Sequence, residues 1–230
     1  MSTFQPQTKS DLQTAVDNWV GGDTTTYGDI KDWDTSLITD MSDLFKDKNT
    51  FDDDISGWNT SNVTTMRRMF WGASLFNQNI SGWDTSKVQN MYFMFFGAAA
   101  FNQDIGLWNV SQVTTMQAMF RNATAFNQEI RTWKASIQTP TLTDMFNSAT
   151  AFNNNTTWNT ATGFNATTPD ITFWTSYTDT NTSAPDTNTG SSGVQAELQA
   201  IDNNDTAAVA NLSDAGNKKK RLAIALAKLT

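Results

Sequence analysis

The stretch WNTSNVTTMRRMFWGASLFNQNISGW, residues 58–83, runs directly into WDTSKVQNMYFMFFGAAAFNQDIGLW, residues 83–108, and the two share their apolar positions and spacing. The shared unit is 25 residues long, and Trp33, Trp58, Trp83, Trp108, Trp133 and Trp158 keep that interval without a slip. Eight residues after the first four tryptophans stand Met41, Met66, Met91 and Met116, followed by Leu44-Phe45, Met69-Phe70, Met94-Phe95 and Met119-Phe120. Ile38, Val63, Val88 and Val113 precede these pairs; Phe51, Phe76, Phe101 and Phe126 follow, and isoleucines at 55, 80, 105 and 130 close each unit. A unit this short cannot enclose a core, so each copy must bury its apolar side chains against the copies on either side. The expected fold is a repeat solenoid.

Within residues 58–83, Val63, Met66, Met69, Phe70 and Ala73 recur at steps of three and four, which predicts two short turns of helix or 3₁₀-helix, capped by Thr64 or Thr65. The following FNQNISGW places Phe76, Ile80 and Trp83 among polar residues and predicts a short extended segment and a turn. Stacked copies of that segment would form a parallel sheet, one strand per repeat at about 4.8 Å. Asn77, Asn102 and Asn127 would then line up, ended by Asp52 and Asn153, and satisfy backbone groups at the bend. No metal is expected on a row of carboxamides. The sixth copy is ragged: Ile137, Met145-Phe146 and Phe152 drift, Pro140 interrupts, and Asn155 stands where isoleucine is expected.

The combination W-x-x-S-x-V, M-x-x-M-F, A-x-x-F-N-Q and I-x-x-W at fixed spacing, over about residues 28–160, resembles the BspA-like repeat family of leucine-rich-repeat surface proteins. The resemblance implies a leucine-rich-repeat-like solenoid of the kind found on cell envelopes and in viral or phage proteins. It implies adhesion and recognition, and no catalytic residues. The chain departs from the family's usual setting in showing no export signal.

Composition narrows the function. Hydrophobic content of 38%, with nine tryptophans and fifteen phenylalanines, suits packed repeats. A net charge of −8 disfavours nucleic acid as a partner. Without cysteine there is no disulfide, thiol nucleophile or thiolate-bound zinc. Without histidine the commonest general base and metal ligand are both missing. Carboxylates remain, in Asp52, Asp53 and Asp54, with Asp104 and Glu129 in the equivalent phase. Paired carboxylates can hydrolyse glycosides, and a polysaccharide hydrolase acting through Asp53 or Asp54 is the weaker alternative. Solvated charge on a repeat edge is the default, so no enzyme, cofactor or metal site is expected.

The ends differ from the middle. Residues 1–27 predict a helical cap, SDLQTAVDNWV at 10–20, opened by Ser10 and presenting Leu12, Ala15, Val16, Trp19 and Val20. The repeats occupy 28–160, a C-terminal cap 161–178, a polar linker 179–193, and a helical basic tail 194–230. In that tail Lys218, Lys219, Lys220 and Arg221 precede Leu222 and Leu226, a short basic helix suited to docking on a protein partner in a larger assembly. A membrane surface, its own copies or solvent are the other readings. No signal peptide is visible, and no run approaches the roughly 18 apolar residues of a transmembrane helix.

Recognition is expected on the phases between the methionines, which should face outward: Ser42-Asp43, Arg67-Arg68, Tyr92-Phe93 and Gln117-Ala118. One residue past the Met-Phe pair the series runs Lys46, Trp71, Phe96, Arg121. Trp71, Tyr92, Phe93 and Phe96, bordered by Arg67 and Arg68, would make an aromatic patch fit for a host-surface protein or a glycan, unless the rings fold back over the core. The expected function is that of a non-enzymatic structural and recognition protein on an external surface, first a virion or phage component held by its C-terminal helix. A cell-surface adhesin whose export signal has been removed is the alternative.

Overall fold

The computed structural model describes residues 3–135 and 137–176. The linker at 179–193 and the tail, with Lys218, Lys219, Lys220, Arg221, Leu222 and Leu226, lie outside the described residues.

Each repeat hydrogen-bonds the next at equivalent positions. The N–H groups of Met66, Arg68, Phe70 and Gly72 donate to the carbonyls of Asn90, Tyr92, Met94 and Phe96 at 2.8–2.9 Å. The intervening N–H groups of Met69, Trp71 and Ala73 turn back to the carbonyls of Met66, Arg68 and Phe70 at 3.1 Å. Alternate donors therefore serve the neighbouring repeat and the local turn, so each of these N–H groups has a partner. The same four-bond pattern joins residues 41–47 to 65–71, 91–97 to 115–121, and 116–122 to 141–147.

This arrangement corrects two expectations. The methionine segment is not a helix. Two left-handed residues interrupt it in each repeat, Asp43, Arg68, Phe93, Ala118 and Asp144 in one column and Asp47, Gly72, Gly97, Asn122 and Ser148 in the other. The three- and four-residue spacing comes from successive tight turns that return the chain to the same face. Parallel pairing also sits elsewhere: isolated bridges link Asp40 to Thr65, Thr65 to Asn90, Asn90 to Thr115 and Thr115 to Thr141. The FNQ segments contain no strand. Thr64 caps nothing; its hydroxyl donates to the Thr39 carbonyl of the preceding repeat.

Side chains follow the backbone register. Phe45, Phe70, Phe95, Phe120 and Phe146 stack at centroid spacings of 5.3–6.0 Å. Phe51, Phe76, Phe101, Phe126 and Phe152 form a second column at 5.7–6.1 Å. Both columns are buried, together with the methionines and the closing isoleucines. Each ring so buried contributes about 1.5–3 kcal/mol relative to exposure. Thr35, Thr60 and Thr85 are buried beside them, each hydroxyl donating to a carbonyl of the next repeat.

Amide ladders fill the bend. The Oδ1 atoms of Asp52, Asn77 and Asn102 accept the backbone N–H of Asn77, Asn102 and Asn127 at 2.8–2.9 Å. Gln78, Gln103 and Gln128 each donate a side-chain amide back to the preceding repeat's carbonyl. At the far end the carboxamide of Asn155, rather than Asn153, reaches Asn127.

The tryptophan series breaks at its last member. The indoles of Trp58, Trp83, Trp108 and Trp133 donate to the carbonyls of Ile30, Ile55, Ile80 and Ile105, each 28 residues earlier. The next acceptor, Ile130, receives the indole of Trp174 at 3.0 Å, not that of Trp158. Trp158 donates instead to Phe152. Three short elements surround this end: a 3₁₀ turn at Arg131–Ala135, and two single-turn helices, Thr150–Asn153 and Thr172–Thr175. The Thr167 carbonyl accepts the Phe146 N–H where a further repeat would have supplied a carbonyl.

At the other end helix α1, Lys9–Val20, buries Leu12, Ala15 and Val16. Its cap is Thr8, not Ser10. Thr8 and Asp11 exchange side-chain and backbone bonds as a capping box, which sets the cap two residues earlier than the apolar stripe suggests. Gln13 of α1 donates its amide to the Leu44 carbonyl, and Lys48 pairs with Asp17 at 2.6 Å.

Candidate functional site

The column one residue past the Met-Phe pairs reads Lys46, Trp71, Phe96, Arg121, and successive repeats place these side chains on top of one another. The Lys46 ammonium lies 5.8 Å from the Trp71 ring centroid. Trp71 and Phe96 are 4.8 Å apart, and the Arg121 guanidinium lies 5.9 Å from Phe96. Two rings are thus enclosed between two cations along the stacking direction.

The neighbouring column widens the cluster. Phe93 stacks on Trp71 at 5.0 Å and 12° between planes, and lies 4.2 Å from Tyr92 and 5.2 Å from Phe96. Arg67 covers Tyr92 and Arg68 covers Trp71, each at 5.7 Å. All six residues singled out in the sequence, Arg67, Arg68, Trp71, Tyr92, Phe93 and Phe96, therefore meet on one face. They are half-buried. The rings neither stand clear in solvent nor enter the core. The same phase is not outward throughout: Ser42 and Ala118 are buried, and the Ser42 hydroxyl lies 3.3 Å from that of Thr65.

Carboxylates hold the cations in place. Asp43 takes Arg68 in a two-point contact, Nε at 2.9 Å and Nη2 at 3.1 Å, and receives Arg67 at 3.5 Å. Asp144 takes Arg121 at 3.1 Å. Such partly exposed pairs contribute at most about 1 kcal/mol each, so their main effect is to orient the guanidinium planes. Sequence reading gave neither acid a role. Asp144 is obscured because its repeat arrives one residue late, as Met145 does.

The backbone beneath the cluster is costly. Arg68 and Phe93 have φ of 54° and 58°. A left-handed conformation costs an L-residue with a Cβ about 1–2 kcal/mol, and glycine, asparagine and aspartate adopt it with least penalty. Four of the five residues in the other left-handed column follow that preference, Asp47, Gly72, Gly97 and Asn122, and Ser148 ends it. At Gly72 a Cβ would also meet the Asp47 carboxylate at 2.8 Å. Arg68, Phe93 and the buried Ala118 break the preference in the first column, and Arg68 and Phe93 carry their side chains into the aromatic face. Strained backbone of this kind clusters at functional sites.

The acidic triplet has structural employment. Asp52 accepts the Asn77 N–H, Asp53 accepts the Trp19 indole at 2.9 Å, and Asp54 accepts the Ser56 N–H at 2.9 Å. The Ser56 backbone N–H, then its hydroxyl, holds the Asp54 carboxyl below the usual carboxylate range. A general acid for glycoside hydrolysis needs the opposite displacement. Asp34 forms the same turn with Ser36 and is lowered likewise, chiefly by the Ser36 hydroxyl. Among the described residues no group of three or more carboxylates is placed to hold a metal ion. Nor is any helix among them long and apolar enough to cross a membrane.

Comparison with known proteins gives one family. The chain belongs to the family described as "Mycoplasma protein of unknown function, DUF285", whose model matches residues 10–133 and 79–175. No curated protein and no solved structure matches the chain.

Proposed function

We propose that the repeats form a leucine-rich-repeat-like solenoid of the BspA-like type, serving as a non-enzymatic structural and recognition protein on an external surface. A virion or phage particle is the first setting, with the C-terminal segment attached to the assembly. The aromatic face around Trp71, Phe93 and Phe96 is the binding surface for a protein partner. The repeat-to-repeat hydrogen bonding supports the solenoid reading, and family membership is consistent with the BspA-like one.

One observation carries the functional reading: two bulky residues, Arg68 and Phe93, occupy left-handed positions and contribute their side chains to a single surface cluster. The same column elsewhere holds Asp43, Ala118 and Asp144, so the backbone there accepts side chains much smaller than arginine or phenylalanine. The test is a photo-crosslinking amino acid at position 96, with one at exposed Leu75 as control, in the native source. Specific adducts from position 96, found in the particle or envelope fraction, are expected. Adducts equal at both positions, or a protein confined to neither fraction, would overturn the proposal.

A further inference from the structure

We infer that the aromatic face docks an acidic segment of a partner protein, whose carboxylates sit on the rims of the rings and on Arg67 and Arg121. This rests on the recognition reading above and adds the chemistry of the partner.

The faces of Trp71 and Phe96 are already occupied along the stack. Trp71 has Lys46 on the side of the preceding repeat and Phe93 and Phe96 on the side of the following one. Phe96 has Trp71 on one side and Arg121 on the other. Tyr92 has Arg67 over its ring and Phe93 tilted beside it at 4.2 Å. Half-buried and covered along the stack, Trp71 and Phe96 turn their edges toward solvent. An aromatic edge is the positive part of the ring quadrupole. The uncovered surface therefore combines ring edges with guanidinium groups, and both favour anions.

The same geometry disfavours two other ligands. A sugar stacks through its C–H groups on an open ring face, and a cationic ligand seeks the negative face. The covered faces of Trp71 and Phe96 offer neither. The counter-ions fall one short of neutralising the cluster: Asp47 pairs with Lys46 and Asp144 with Arg121, while the single carboxylate of Asp43 serves both Arg67 and Arg68. On a chain of net charge −8 this local excess of positive charge makes the face a directional site for an acidic partner.

The test uses the full chain and three immobilised probes: a glutamate–tyrosine copolymer, heparin and sialyllactose. The copolymer is expected to bind, with affinity falling as salt rises from low to physiological ionic strength. Arg67→Gln and Arg121→Gln should each weaken it by about two- to fivefold, as for loss of one surface ion pair. Lys87→Gln, a cation bonded to Asn62 on another part of the repeat, should leave it unchanged. Melting temperatures within a degree or two of the parent exclude misfolding as the cause. Stronger binding to heparin or sialyllactose than to the copolymer, or copolymer binding indifferent to both arginines, would overturn the acidic-segment inference. If position 96 still yields specific adducts in that case, recognition stands and only the partner's chemistry is wrong.

Discussion

Replacing Trp174 by alanine should destabilise the protein more than replacing Trp158, although Trp158 is the residue in step with the 25-residue beat. The Trp174 ring is fully buried, packs edge-on against Phe173 at 5.0 Å, and donates to the Ile130 carbonyl at 3.0 Å. Truncating a buried tryptophan costs about 3–5 kcal/mol. The Ile130 carbonyl keeps the Trp133 N–H, so losing the indole donor adds only about 0.5–1.5 kcal/mol, for a total near 4–6 kcal/mol. Trp158 is 6% exposed and bonds only within its own turn, to Phe152. Its loss should cost about 2–4 kcal/mol, at the low end for a large aromatic. In a chain of this size 1 kcal/mol moves the melting temperature by about 2–4 °C, so Trp174→Ala should melt roughly 10–25 °C below the parent. Differential scanning calorimetry of both variants, with Trp108→Ala as a mid-ladder reference, measures this directly. Equal losses, or a larger loss for Trp158→Ala, would refute the assignment of the slot to Trp174.

Three further outcomes follow from the geometry. Phe93→Asn should relieve about 1 kcal/mol of left-handed strain and lose a similar amount of ring contact, leaving melting nearly unchanged while abolishing the adducts from position 96. A large fall in stability would mean that Phe93 is structural. Asn102→Leu removes the acceptor used by Asn127 and Gln128 and should cost about 1–3 kcal/mol in urea unfolding, whereas Asn102→Asp keeps an acceptor and should cost less. Asp23 is held at about 2, below its ordinary value of 3.8, first by the Thr26 hydroxyl and then by the Thr26 and Thr25 backbone N–H groups. A depressed carboxyl stabilises the fold above the unfolded value and loses that effect as pH falls through the folded one. Carboxyl NMR should show a midpoint near 2, and Asp23→Asn should remove its share of the stability change between about pH 4 and pH 2.

Much of the core was legible from periodicity alone. Met66, Met69, Phe70 and Phe76 and their counterparts are buried where the 25-residue beat places them. The six residues of the aromatic face could also be grouped, because fixed phase and adjacent repeats imply contact. Secondary structure was not legible. Steps of three and four arise from alternating tight turns as readily as from a helix, and arginine, phenylalanine and alanine at 68, 93 and 118 give no hint of positive φ. The parallel pairing was assigned to the FNQ segments because polar and apolar residues mix there. In the structure it runs beside the methionines, where alternate N–H groups are left over from the local turns. Trp174 lies outside the period, so its displacement of Trp158 follows only from tertiary packing.

The backbone bonds between neighbouring repeats have a direction: over the methionine segment, each unit gives four N–H groups to its successor and presents four carbonyls to its predecessor. A unit copied in tandem would arrive with both halves of that joint already matched, and an internal unit deleted would bring two compatible surfaces together. Length is therefore adjustable by whole multiples of 25 residues without redesigning either terminus. The aromatic face, written across only four consecutive units, could in this way be carried nearer to or farther from whichever end is tethered.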